Sequence, residues 1–202
     1  NSNTKKVKDS DIYKMQSQKK SEAIKLDESL VTNEINIYGL FDPEDNDLDM
    51  NMWSNSNGDQ LKSIFLRLSK IELSDDASEL MKIALLTNAY PPGTNISEKE
   101  FLEIRSNWLI KNSDLDLIEE YLIKNQIINL DPKLTKYLVD KHLSEANFEK
   151  ACDIFTKNSK SIEDEYLSKF NIYCLVKSGQ KDKAQLIFDL KKESGFKEKY
   201  FE

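Results

Sequence analysis

The chain has 202 residues, 39% of them apolar and 32% charged, which is enough to bury a core in one domain or one domain plus an arm. Five Gly and four Pro are too few for a turn-rich β architecture, and no window reaches the ~20 apolar residues of a membrane span. The net charge of −7, with no basic stripe on the helical part, argues against nucleic acid as a partner.

The charge is unevenly placed. Residues 1–25 carry seven Lys against Asp9, Asp11 and Glu22, whereas residues 26–61 carry nine acidic residues and no Lys or Arg. Residues 1–34 are hydrophilic, with scattered Ile12, Tyr13, Ile24, Leu26 and Leu30, and read as a polar tail or marginal helix. Residues 35–56 change character. Ile35, Ile37, Tyr38, Leu40 and Phe41 precede an acidic stretch, and Met50, Met52 and Trp53 follow it. Pro43 and clustered Asp break helix, yet large apolar side chains are costly to leave in water. The segment reads as an extended arm laying Tyr38, Phe41 and Trp53 into a groove, either of the helical body or of a partner.

Residues 57–202 read as a helical-repeat domain. Leu61, Ile64, Phe65, Leu68 and Ile71 recur at the period of one helix face. Ser74 caps a second helix carrying Leu80, Ile83 and Ala84, which ends before Pro91-Pro92-Gly93. Ser97 and Glu100 form a capping box for a third, with Phe101, Ile104, Arg105 and Trp108. Asp114 starts a fourth, and Asp131-Pro132 opens a fifth. A sixth runs through Phe148 and Phe155, a seventh starts from Ser161, and an eighth lies between Gly179 and Gly195.

Three stretches align with one another. Leu117 precedes Tyr121, Ala151 precedes Phe155 and Ala184 precedes Phe188, with the first members 34 and then 33 residues apart. A small residue at the turn permits a tight reversal, Ala lets the partner helix approach, and the aromatic fills the space between hairpins. This pattern resembles the tetratricopeptide repeat, although the first helices lack that family's Trp and Leu-Gly positions and only the last turn has Gly. The resemblance implies an all-α fold, a right-handed stack of antiparallel helical hairpins (a tetratricopeptide-like α-solenoid) with an extended N-terminal arm. A second likeness rests on Tyr38-Gly-Leu-Phe-Asp42, Met52-Trp53 and Leu85-Leu86-Thr87-Asn88-Ala89-Tyr90-Pro91-Pro92. These stretches are similar to an uncharacterised family of exported alphaproteobacterial helical-repeat proteins, which implies a periplasmic or envelope setting and no activity. The chain begins with Asn1 rather than Met, which leaves open whether an export leader was removed by processing or the start was set by design; a cytoplasmic location also stays open.

Candidate chemistry is sparse. Asp45, Asp47 and Asp49 are spaced like the first ligands of a calcium loop, but Met50 stands where the sharp turn needs Gly, and Ser56 where a bidentate Glu closes the site. They form only a weak metal candidate beside the reading as a solvated acidic loop or docking strip. His142, the only histidine, reads as a capping or packing residue. Cys152 and Cys174 fall on facing helices of adjacent hairpins. Buried free thiols are the expectation, and a bond between them would need an oxidising compartment. Adjacent carboxylates such as Glu119-Glu120 project to different sides of a helix and cannot act as an acid–base pair. No cofactor is expected.

The chain therefore reads as a non-catalytic interaction or scaffold module holding another protein or peptide. Arg105, Asn107, Tyr137 and Lys141 are the polar positions on first helices expected to face that partner. Two alternatives stay open: a helical accessory domain of a peptidoglycan-acting envelope enzyme, such as the superhelical segment beside lytic transglycosylase domains, and a Ca²⁺-dependent assembly factor.

Overall fold

The computed structural model describes residues 36–157, 161–193 and 195; the expected tail over residues 1–34 lies outside them. Among the described residues the protein is all-helical, with eight α-helices and no strand: α1 (Gly58–Leu68), α2 (Asp75–Leu86), α3 (Glu98–Asn112), α4 (Leu115–Lys124), α5 (Pro132–Ser144), α6 (Phe148–Thr156), α7 (Glu165–Lys177) and α8 (Lys181–Glu193).

Side-chain oxygens set most helix starts by accepting N–H groups that the first turn leaves unbonded. Ser74 accepts from Ala77, Asp114 from Leu117, Asp131 from Leu134 and Asn147 from Lys150. Ser97 and Glu100 complete the reciprocal capping box of α3. The seventh helix begins later than Ser161. Asp164 is its cap, accepting from Leu167, while the Ser161 carbonyl accepts from the Asn129 side chain at 2.6 Å. α2 stops at Leu86, ahead of the prolines, because Thr87 turns extended and bridges to Phe41.

Burial recurs along the chain with a fixed step. Phe101, Leu134 and Leu167 are buried on α3, α5 and α7, each 33 positions after the last, as are Leu102, Thr135 and Ser168. On α4, α6 and α8 the same step links Ile118, Ala151 and Ala184, and then Leu122, Phe155 and Phe188. The sequence alignment began its first unit one residue early, at Leu117 and Tyr121. Leu117 is only partly buried, and Ile118 is the fully buried member. The helix caps follow the same step, from Asp114 to Asn147 and from Asp131 to Asp164.

Contacts between helices also repeat. The Lys133 ammonium donates to Asn107 Oδ1 at 2.7 Å, joining α5 to α3, and the Tyr166 hydroxyl donates to Asp140 at 2.5 Å, joining α7 to α5 from equivalent positions. Lys150–Asp116 (3.5 Å) and Lys157–Glu119 (2.6 Å) join α6 to α4. Such exposed pairs contribute little stability, about 0–1 kcal/mol each, so apolar burial carries the assembly. Where free thiols were expected, Cys152 of α6 and Cys174 of α7 form a disulfide, their Cα atoms 5.4 Å apart. The reason is register: the two faces that meet between α6 and α7 put both thiols at one contact. Closing a loop across a separation of 22 residues contributes about 3 kcal/mol in the chain-entropy model.

The turns after α5 and α7 are built alike. The Asn147 N–H donates to the His142 carbonyl and the Gln180 N–H to the Leu175 carbonyl, both at the step of 33. Between them, Ala146 and Gly179 take left-handed backbone, with φ of 58° and 78°. Gly adopts this conformation freely, whereas a Cβ carries a penalty of about 1–2 kcal/mol. Replacing Ala146 by Gly should therefore stabilise the protein by about 1 kcal/mol in urea denaturation. A lower midpoint would contradict the left-handed turn.

Candidate functional site

Residues 36–56 lie against the helical body through backbone bonds that their apolar side chains reinforce. The Leu40 N–H donates to the Leu86 carbonyl at 2.6 Å, the Asn88 N–H to the Phe41 carbonyl at 2.9 Å, and the Tyr90 N–H to the Met50 carbonyl at 2.8 Å. The Gly39 N–H donates to Asn125 Oδ1 at 2.9 Å, and the Lys124 ammonium to the Leu40 carbonyl at 2.5 Å. Gly39 is required by this approach, since a Cβ there would come within 2.7 Å of the Asn88 backbone nitrogen. Tyr38 is buried, and Phe41 and Trp53 are partly buried. The Trp53 ring meets Phe101 edge-on, with centroids 5.5 Å apart. Burial, with Glu98 beside the hydroxyl, pushes Tyr38 up to about 12.

Arg105 explains much of this arrangement. It is 2% exposed, so the structure puts it inside the body and not on an open face. Its guanidinium donates through Nη1 to the Tyr38 carbonyl and lies 4.7 Å from the centre of the Phe101 ring. Among the described residues Nε and Nη2 have no hydrogen-bond partner and Arg105 forms no ion pair. Burial pulls its pKa down, opposed by the neighbouring Tyr121, whose own value burial raises. The step of 33 aligns Arg105 with the buried Leu138, and that register was the signal for an inward position.

His142 follows the same logic. It is 2% exposed, occupies the place of Leu109 and Leu175, and among the described residues neither ring nitrogen finds a partner. Asp131 is also buried and accepts from the Ser106 hydroxyl and the Leu134 N–H. Burial raises its pKa while those two donors pull it down.

The other residues expected to face a partner are at or near the surface. Asn107 is exposed and occupied by Lys133. Tyr137 is partly buried, with the exposed Lys141 ammonium 5.6 Å above its ring. Asp45 lies inside a short 3₁₀ turn (Glu44–Asn46), Asp47 follows it as its C-cap, and Asp49 Oδ1 accepts from the Asn51 N–H at 2.6 Å. No three His, Cys, Asp or Glu side chains converge as a metal site among the described residues.

A groove that the sequence reading did not anticipate opens between α1, α2 and α3. It encloses about 230 Å³, and Phe65, Leu68, Met81, Ile104 and Trp108 form its apolar walls. Lys62 and Lys111 are its charged lining residues, and no carboxylate lines it. Of the α1 face expected from the sequence, Leu61 is buried and Phe65 and Leu68 are partly so, whereas Ile64 and Ile71 are exposed and Ile71 lies beyond the end of the helix.

No protein-family model, curated protein or solved structure matches the chain.

The capping box supplies a pH-dependent element. The Ser97 N–H, the Lys62 ammonium and the Ser97 hydroxyl hold Glu100 at about 2, below its ordinary 4.5. A lowered folded-state value means that this stabilisation is complete above pH 4.5 and is lost as pH falls toward about 2. Glu100→Gln should thus melt below wild type at pH 7, with the gap closing by pH 2. A gap that is independent of pH would contradict the bond.

Proposed function

We propose that the protein is a non-catalytic, tetratricopeptide-like interaction module. In this reading, consecutive hairpins α3–α4, α5–α6 and α7–α8 stack right-handed into a short solenoid. Residues 36–56 act as an N-terminal arm that closes its first end, and the strip at Asn107, Tyr137 and Lys141 meets a partner protein.

The observation that carries the reading is the recurrence of buried positions at a step of 33 residues across three helix pairs. A hairpin with one apolar face cannot bury it alone, and repeated identical faces are the economical solution. Such arrays present long, continuous surfaces and hold ligands without reacting with them. The sequence adds no nucleophile–base spacing that would favour chemistry. The Cys152–Cys174 bond favours an oxidising setting, such as a bacterial periplasm or envelope, because cytosolic thiols are kept reduced.

The test is affinity capture from an envelope extract of the source organism, with the disulfide left oxidised. Wild type should retain one partner in stoichiometric amount, and a Tyr137→Ala, Lys141→Glu variant with an unchanged melt should lose it. Failure of wild type to retain any stoichiometric partner, or equal retention by both proteins, would count against the module.

A further inference from the structure

The Cys152–Cys174 bond sits where the protein passes from one apolar core to another. Ile162, Leu167 and Cys174 belong to the main core, with Phe170 and Tyr173 packed against it. Ile172, Leu175, Ala184 and Phe188 form a second, smaller core, with Ile187 beside it. Every member of that second core lies on α7 or α8. α8 buries only Ala184 and Phe188, its Leu186 is 60% exposed, and α7 is the helix it packs on most. A helix that buries so little depends on the helix beneath it for its stability.

α7 is fastened to the body along its length. Near its start, Asp164 meets the Lys136 ammonium of α5 at 2.7 Å, and the Tyr166 hydroxyl donates to Asp140 of α5 at 2.5 Å. Just before it, the Asn129 side chain donates to the Ser161 carbonyl at 2.6 Å and accepts from the Glu163 N–H at 3.3 Å. Further along, Phe170 meets Phe155 of α6 at 5.8 Å. The disulfide comes last, joining Cys174 in the final turn of α7 to α6. Ile172 and Leu175, the two α7 members of the second core, lie on either side of Cys174 in sequence. Holding Cys174 on α6 therefore holds the platform on which α8 rests.

The bond can also be reached. Cys174 is buried, whereas Cys152 is only partly so and is followed by the exposed Asp153. A dithiol reductant can attack Cys152 Sγ through one thiolate; the S–S bond breaks, and Cys174 leaves as a thiolate that takes up a proton. The second thiol of the reductant, deprotonated, then displaces Cys152 from the mixed disulfide. The protein gains two electrons and two protons, and the reductant becomes a disulfide.

We propose that the Cys152–Cys174 bond is a redox latch on the C-terminal hairpin. Closed, it fixes the end of α7 on α6 and thereby α8 on α7. Opened by a dithiol reductant, it frees the last turns of α7 together with α8, while α3, α4 and α5 stay folded. Repeat arrays loosen from their ends, because a terminal unit has one neighbour where an inner unit has two. The oxidised chain thus offers a longer ordered surface than the reduced chain. The latch requires only this packing, whatever the module binds.

Hydrogen exchange of the full chain, read by mass spectrometry, tests the latch before dithiothreitol, after it and again after reoxidation. Reduction should lower the protection of amides from Ile172 to Glu193 by about tenfold or more. Protection in α3, α4 and α5 should stay within about twofold, and reoxidation should restore the original pattern. A Cys152→Ala, Cys174→Ala variant should match the reduced chain without any reductant. An equal loss of protection in α3, α4 and α5, or a variant that does not fold, would show a staple of the whole fold and overturn the latch. Unchanged protection of α8 in the reduced chain would overturn it as well, as would a bond that dithiothreitol leaves intact in the folded protein.

Discussion

The structure depends on one constraint: a helix with a single apolar stripe is stable only where another helix covers that stripe. Burial, not propensity, holds such helices in water. In this chain the stripe is written at a constant step. Phe101, Leu134 and Leu167 lie on the inner side of three helices, and Ile118, Ala151 and Ala184 lie on the inner side of the helices that follow them. Along that second set Ile118 gives way to Ala, and the smaller side chain is matched four positions later by the larger Phe155 and Phe188 in place of Leu122. Ion pairs such as Lys157–Glu119 decorate the contacts but do not create them.

The same constraint explains where the repeat is interrupted. Arg105 stands in a slot that Leu138 fills one step later, and a charge there is offset by the Tyr38 carbonyl that residues 36–56 bring, by the face of the Phe101 ring and by the neighbouring Tyr121. Removing that carbonyl would leave the buried cation less compensated, so the segment and the helix hold one another. Arg105 thus couples the non-helical stretch to the first helix pair. His142, also in a leucine slot, finds no comparable partner among the described residues.

Local chemistry was the most legible part of the sequence. Ser74, Ser97, Asp114 and Asp131 cap the helices they were expected to cap, because a side-chain oxygen beside an unbonded N–H acts within a few residues. Longer-range features were less legible. The approximate repeat was visible through Ala151 and Ala184, but the aromatic at Tyr121 drew the first unit one place early, since Tyr121 and Leu122 are both fully buried. Polarity misplaced Arg105: a guanidinium on a helix reads as surface until its register partner is considered. The Cys152–Cys174 bond depended on which faces of α6 and α7 meet, which spacing alone does not determine. The α1–α3 groove depended on how incompletely Phe65 and Met81 cover α3, a matter of shape that no motif records.

The step of 33 residues is tested most directly at the two adjacent leucine-like positions of α4. If Ile118 belongs with Ala151 and Ala184, its replacement by Ala leaves a cavity in a fully buried site and should cost about 2–5 kcal/mol in urea denaturation. The same truncation at the partly buried Leu117 should cost clearly less. A larger loss at Leu117 than at Ile118 would show that the inner face of α4 has been assigned to the wrong residues, and the shared register of the three helix pairs would be contradicted.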